Sequence, residues 1–326
     1  MFRWILRALA ALFISNPGGA AGQIKNCALA DVILEGDFDD IKKRAELSGA
    51  AHFRDFLIVI SNEAVGPEKQ NALQIFKADG SNSFQWVRDE AVFGPEDDGC
   101  SDADLEGIAI MDDHAYVVGS HALAEEKGGG RRANRQCDRR RSLVELRLGA
   151  DGRVVSRKAI DLARHIAQHA VLAPFTDLSN ADNGIDIEGI AITAEQILIG
   201  FRGPVLRDGT VPVLVLNRQD PAQPSAIRHV QLGGRGIRDM ARVSDGFLLI
   251  AGPAAGPDVP SDIVWWDGQD MLPSAGNVGV TKPVCRLTDR KAEGLAVRAE
   301  SPDGYDVLIV FDGSRKLKAK AGRLAK

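Results

Sequence analysis

Long apolar runs, closely spaced cysteine pairs and complete catalytic signatures are all missing from this chain. Past the N-terminus no hydrophobic stretch nears the ~20 residues of a membrane-spanning helix, so no span is expected. There is no Gly-x-Ser-x-Gly elbow, which leaves an α/β-hydrolase serine unsupported. Gly128, Gly129 and Gly130 lack the Lys-Ser/Thr of a phosphate loop. His165 and His169 stand four apart, but Ile166 occupies the place of a zinc-protease glutamate, and the pair reads as a helix surface. An excess of basic charge is missing too. The formal net charge is −5, which argues against nucleic acid as a partner. Aromatics are few, at 6%, while 34 glycines provide for many tight turns. Only four cysteines occur, none with the Cys-x-x-Cys spacing of a zinc or redox site.

What is present begins with Arg3 and Arg7, an apolar run from Ala8 to Ser15 and a small-residue stretch from Gly18 to Gly22. That order is the plan of a secretory signal. Residues 1–22 are therefore expected to be a signal peptide, with 23–326 as one domain in the periplasm or outside the cell.

A repeat organises the remainder. Asp104-Leu105-Glu106-Gly107-Ile108-Ala109-Ile110 recurs as Asp186-Ile187-Glu188-Gly189-Ile190-Ala191-Ile192 and again as Ala292-Glu293-Gly294-Leu295-Ala296-Val297. Weaker copies are Gly236-Ile237-Arg238-Asp239-Met240-Ala241 and Leu47-Ser48-Gly49-Ala50-Ala51. After each copy come a turn and an apolar strand, such as Ala115 to Gly119 or Ile197 to Gly200. Near-continuous apolar runs mark strands buried on both faces. Alternating segments joined by Asp-Gly turns then supply more exposed third and fourth strands. The pattern predicts an all-β chain forming a single β-propeller of about five four-stranded blades, with six as the alternative count. A pair of β-sandwiches is the rival architecture. Too few residues follow Glu293 for a full blade, so N- and C-terminal strands are expected to share one and remove the open edges.

In such a ring the motif positions converge on one mouth. They are Ser48, Glu106, Glu188, Arg238 and Glu293, with the strand ends Ser61, Ser120, Arg202, Pro253 and Asp312 around them. Glu63 and His121 lie just beyond. Two carboxylates ~6 Å apart repel by roughly 3 kcal/mol at an effective dielectric near 20. Three glutamates therefore need relief from a cation, from salt bridges to Arg202 and Arg238, from backbone N–H groups, or from protons. An all-oxygen donor set of Glu106, Glu188 and Glu293 suits Ca²⁺ or another hard divalent cation. Ser120, His121, Asp312 and Glu63 are candidate ligand-binding residues. Cys100 precedes the second motif and Cys137 lies in the loop leaving the same blade, so these two are expected to pair. Cys27–Cys285 follows by elimination.

The repeated Glu-Gly-Ile-Ala, with Leu198-Ile199-Gly200-Phe201-Arg202, resembles a bacterial family of unknown function numbered 3616, over about residues 30–315. The resemblance implies a propeller and export. That family is similar to phytase-like and quorum-regulated propellers, which implies calcium or phosphoester chemistry. Ser48 and Arg238 depart from a full acidic ring.

The expectation is an exported, monomeric propeller with a small-molecule or anionic ligand at the channel mouth. As an enzyme it would perform metal-assisted ester or phosphoester hydrolysis through Glu106, Glu188, Arg202 and Arg238. The alternative is a non-catalytic extracytoplasmic binding or scaffold protein. The residues do not decide between enzyme and binder, nor do they name the ligand.

Overall fold

Strands carry nearly all of the regular structure. The computed structural model describes residues 24–38, 40–94, 103–123, 138–255, 259–272, 276, 278–313 and 315–326. The expected signal segment 1–22 and the expected Cys100–Cys137 pair lie outside these residues.

The chain enters through β1 (Ala30–Glu35). The first unit is β2 (Leu47–Phe53), β3 (Phe56–Ser61), β4 (Ala72–Ala78) and β5 (Ser83–Ala91). The second is β6 (Leu105–Met111), β7 (His114–Gly119), β8 (Leu143–Leu148) and β9 (Val154–Ile160). The third is β10 (Asp186–Ile192), β11 (Gln196–Gly203), β12 (Thr210–Asn217) and β13 (Ala226–Gln231). The fourth is β14 (Gly236–Val243), β15 (Gly246–Gly252), β16 (Asp262–Trp266) and β17 (Thr281–Arg286). The last is β18 (Ala292–Ser301), β19 (Gly304–Phe311) and β20 (Lys318–Ala325). A short helix, α1 (Leu162–Gln168), follows β9, with Asp161 Oδ1 accepting from the Arg164 amide at its start.

The architecture is all-β. Three sheets have four antiparallel strands in chain order, and a fourth has eight, in the order β18-β19-β20-β1-β5-β4-β3-β2. The eight-stranded sheet arises because β1 divides its hydrogen bonds. Ala30 to Val32 pair antiparallel with Ala321 to Ala319 of β20, and Ile33 to Glu35 pair parallel with Ser83 to Gln85 of β5. The first strand of each unit packs on that of the next, β2 on β6, β6 on β10, β10 on β14, β14 on β18 and β18 on β2. Apolar side chains fill the spaces between units. Ile58 and Ile75 of the first unit share a cluster with Ile108 and Val117 of the second, and Ile250 of the fourth packs with Leu295 and Ile309 of the last.

A disulfide joins Cys27 to Cys285, with Cα atoms 5.0 Å apart. Beside it the Cys27 amide donates to Arg286 O and the Arg286 amide donates to Lys25 O, each at 2.8 Å. The N-terminal segment is thus tied to β17 as well as to β20 and β5.

Two expectations need correction. Exposure does not rise evenly outward: β12 is buried over seven of its eight residues, while β9 and β13 carry the exposure. A third strand is still flanked by its neighbours' apolar faces, and only the outermost one meets solvent. The surface reading of His165 also fails. His165 is buried, and its Nε2 lies 2.8 Å from Pro221 O.

Candidate functional site

The repeated motif has one geometric cause. In every unit the register between the first two strands slips by one residue, and the skipped residue is the motif position. Leu47 pairs with Ser61 and Gly49 with Ile60, which leaves Ser48 as the extra residue of a β-bulge. The same slip isolates Glu106, Glu188, Arg238 and Glu293. A bulge bends the strand and re-aims the unpaired side chain. The glycine after the bulge lets the neighbouring first strand close in. A Cβ on Gly294 would stand 2.8 Å from the Ala50 nitrogen, and one on Gly189 would stand 2.9 Å from Ile237 Cγ2. Asp239 replaces that glycine in the fourth unit. Its carboxylate accepts from the Leu295 amide at 2.6 Å and from the Met240 amide at 2.7 Å, so here a hydrogen bond makes the contact between units.

These side chains converge on a cavity of about 240 Å³. Ser48, Glu106, Glu188, Arg202 and Arg238 line it, as do Pro253, Glu293 and Asp312. The site expected from the motif and strand-end positions is therefore largely assembled in one place. Four expected residues lie elsewhere. Ser61 is buried and accepts from Gln74 Nε2 at 3.0 Å. Glu63 is 41% exposed and 3.5 Å from Lys43. Ser120 is buried, and its carbonyl accepts from the Ile187 amide. His121 lines a separate cavity. Ser61 pairs with Leu47 as Phe201 pairs with Ile187 and Phe311 with Ala292, so the next residue, Asn62, rather than Ser61, holds the position of Arg202 and Asp312 and lines the cavity.

Arg238 is the centre of the charge arrangement. Its guanidinium makes a two-point contact with Glu293, with Nε donating to Oε2 at 2.9 Å and Nη2 donating to Oε1. The same Nε lies 2.7 Å from Glu188 Oε2. That nitrogen has a single hydrogen, already directed at Glu293, so the contact is Coulombic and Glu188 Oε2 accepts no hydrogen bond among the described residues. Glu188 Oε1 accepts from Arg202 Nη1 at 3.0 Å, and the same nitrogen is 3.5 Å from Asp186. Glu106 has no hydrogen bond or ion pair among the described residues.

Lys291, Asn62 and Ser261 also line the cavity and were not anticipated. Lys291 was legible in one respect, because it stands two residues before Glu293 as Asp186 stands two before Glu188. In the third unit Asp186 faces the strand-end Arg202, and in the last unit Lys291 faces the strand-end Asp312 at 2.9 Å. The two units hold the same pair of positions with the signs exchanged.

Burial dominates the protonation of this cluster. It pushes the Glu106 carboxyl well above the usual range, and Asp104, Glu188, Asp186 and Glu293 push it the same way. Burial raises Asp186 to about 8, with Glu188 adding to the rise and Arg202 and Arg238 opposing it. Burial raises Glu293 to about 8 against the pull of Arg238. Arg238 is raised: burial works against its charge, but Glu188 and Glu293 outweigh it.

These shifts fix the sign of a pH dependence. Between pH 6.5 and 8 the folded state keeps protons on Asp186 and Glu293 that the unfolded chain has lost, so stability falls as pH rises. The slope approaches about 1.4 kcal/mol per pH unit for each carboxyl. His52 and His121, lowered by burial to about 4 and about 3, act only below pH 6.5 and with the opposite sign. Urea midpoints measured from pH 6.5 to 8 should fall steadily in the native protein and less in Glu293→Gln; a flat profile would contradict the protonated cluster.

Among the described residues no group of three or more His, Cys, Asp or Glu is arranged to hold a metal ion, and no helix is long and apolar enough to cross a membrane. No curated protein matches the chain. Solved structures that share a distant likeness include these two. One is a variant of the Synechocystis apocarotenoid oxygenase, at 10% identity and a TM-score of 0.36, covering 83% of this chain. This chain spans 55% of that oxygenase. The other is YCF48 bound to D1 peptide, at 9% identity and a TM-score of 0.33, covering 91% of this chain and 86% of that one. A family model matches residues 46–158 and 134–323, which together take in every bulged first strand. The chain belongs to the family described as "Protein of unknown function (DUF3616)".

Proposed function

We propose that this protein is an exported propeller of five blades whose axial pocket binds a small polar ligand. Support for five blades comes from the circuit of first strands, in which β18 returns to β2, and from β1 completing the sheet of β18, β19 and β20. The Cys27–Cys285 bridge suits an oxidising compartment.

The observation that carries the ligand reading is a pair of unanswered carboxyl groups. Glu106 has no partner among the described residues, and Glu188 Oε2 accepts no hydrogen bond. Buried polar atoms in folded proteins are nearly always satisfied, so the Glu188 oxygen is an exception that marks a functional position, and the half-buried Glu106 lines the same cavity. A ligand that brings a positive or hydrogen-bond-donating end to Glu106 and Glu188, and an anionic or accepting end to Arg202, would satisfy both poles.

A hard divalent cation is one such ligand. Arg238 already engages both Glu188 and Glu293, so Glu106 and Glu188 Oε2 would be its protein donors. Two carboxylates leave most of the about six to eight oxygen positions of Ca²⁺ to water and ligand. A bound cation would supply Lewis acidity for ester or phosphoester chemistry. A catalytic reading is favoured by one feature. Burial and the neighbouring carboxyl groups raise Glu106, which suits an acid that protonates a leaving oxygen while Arg202 and Arg238, lining the same cavity, hold the anion.

Calcium titration monitored by melting temperature tests the binding reading, since a ligand at a hundredfold excess over its Kd stabilises by about 2.7 kcal/mol. A rise in Tm with Ca²⁺ that is absent in Glu106→Gln and Glu188→Gln is the expected result. Hydrolysis of p-nitrophenyl acetate and p-nitrophenyl phosphate, with and without Ca²⁺, tests the catalytic reading. Turnover unaltered in both variants, or none at all, would remove it.

A further inference from the structure

A second cavity, of about 250 Å³, lies where the end of β7 meets the segment running from α1 to β10. It shares no lining residue with the axial pocket. His121, Arg141, Thr176 and Asp177 form its polar lining, and Ile166 and Ile185 part of its apolar lining.

His121 is unusual in three ways. Its backbone has φ 54°, a left-handed conformation that residues other than glycine seldom adopt. Its side chain is enclosed, at 6% exposed. Its Nε2 has no hydrogen-bond partner among the described residues. Burial lowers its pKa to about 3, and Arg141 acts in the same direction, so the ring is uncharged at neutral pH. A strained backbone together with an unsatisfied buried nitrogen is the combination found at ligand sites.

The lining chemistry selects the ligand class. Among the described lining residues Arg141 is a donor and Asp177 an acceptor of opposite charge. Thr176 Oγ1 donates to Ala173 O at 2.9 Å and keeps accepting capacity. An uncharged imidazole nitrogen is a donor or an acceptor according to its tautomer, and a hydroxyl, which does both, matches either. Ile166 and Ile185 offer an apolar wall of the kind that receives the C–H face of a sugar ring. The volume equals about eight water molecules at roughly 30 Å³ each. We propose that this cavity binds a small neutral polyhydroxy compound, about the size of one sugar ring, through His121, Arg141 and Asp177.

The test uses the full chain with nitrogen-labelled histidine, titrated with D-glucose, D-galactose and glycerol. The readouts are the imidazole resonances of His121 and the binding heat. At least one probe should shift the His121 resonances saturably, with millimolar affinity. His121→Asn keeps a residue that tolerates the left-handed backbone but shortens the side chain, and should bind about tenfold more weakly, the worth of one hydrogen bond. Ala167, exposed on the cavity rim, can be changed to tryptophan without entering the core, and Ala167→Trp should abolish binding. The absence of saturable binding by all three probes overturns the proposal. So does an affinity unchanged in either variant.

Discussion

Replacing Arg238 with methionine is expected to destabilise the protein by roughly 3–5 kcal/mol at pH 7, the usual loss when one partner of a buried ion pair is removed. Arg238 is enclosed between Glu188 and Glu293, and no other cation contacts Glu293 among the ion pairs of the described residues. Methionine fills similar space but leaves the two carboxylates facing each other. Taking up protons relieves the repulsion, and the Glu293 carboxyl, already raised by burial, is raised further above its unfolded value. A group raised on folding adds stability at low pH and loses it as pH climbs through the folded value. The deficit of Arg238→Met should therefore be smallest at low pH and grow as pH climbs past about 8, where the native Glu293 loses its proton and the variant keeps one. Adding Glu188→Gln and Glu293→Gln should restore much of the loss, because the uncompensated charge, rather than the missing contact, is the source of the penalty. Urea unfolding of the native protein and of the single and triple variants at about pH 5 and about pH 9, on the two sides of the Glu293 value, decides the matter. A single-variant loss below about 1 kcal/mol would show that Arg238 does not hold this ring together.

Removing the Cys27–Cys285 bridge, by changing both residues to serine, is expected to cost about 2–5 kcal/mol, the range for native disulfides. The bridge spans 258 residues of sequence, and chain-entropy arguments assign about 5.5 kcal/mol to a loop of that length, an upper bound on the expected loss. The hydrogen bonds of Cys27 and Arg286 survive the change, but without the covalent link they are left to hold a strand end that can fray. Denaturation of the native protein with and without reductant should reproduce the difference seen between native and double-serine forms. Coincident urea curves for oxidised and reduced protein would mean that the N-terminal segment is held by its hydrogen bonds alone.

The repeat was legible because one physical need recurs five times. A bulge must present a side chain, a small residue must follow it, and an apolar strand must return, so Glu-Gly-Ile-Ala and its variants mark the first strands. The convergence of Glu106, Glu188, Arg238 and Glu293 follows from that register and could be read without coordinates. The strand-end positions could not be read as well. Arg202 and Asp312 reach the cavity, and in the first unit Asn62 takes that place rather than Ser61, because the bulge shifts the pairing and the equivalent position lies one residue further on. Asp239 was hidden for another reason. A carboxylate in the glycine position looks like a defect of the repeat until the Leu295 amide is found 2.6 Å away. The two-way division of β1 was also beyond the sequence, since nothing in Ala30–Glu35 reveals that half of a six-residue strand serves each of two partners.

That division sets an order of events during synthesis. β1 is made before β2 to β20, and the register Asp31 to Lys320 cannot form until residues 318–325 are present. Until then the outer edge of β19 has no strand to lie against, and such edges invite pairing with other molecules. A chain shortened before Lys318 would keep all the residues of the axial cavity yet leave that edge permanently bare, and its expected fate is association with copies of itself rather than simple loss of ligand.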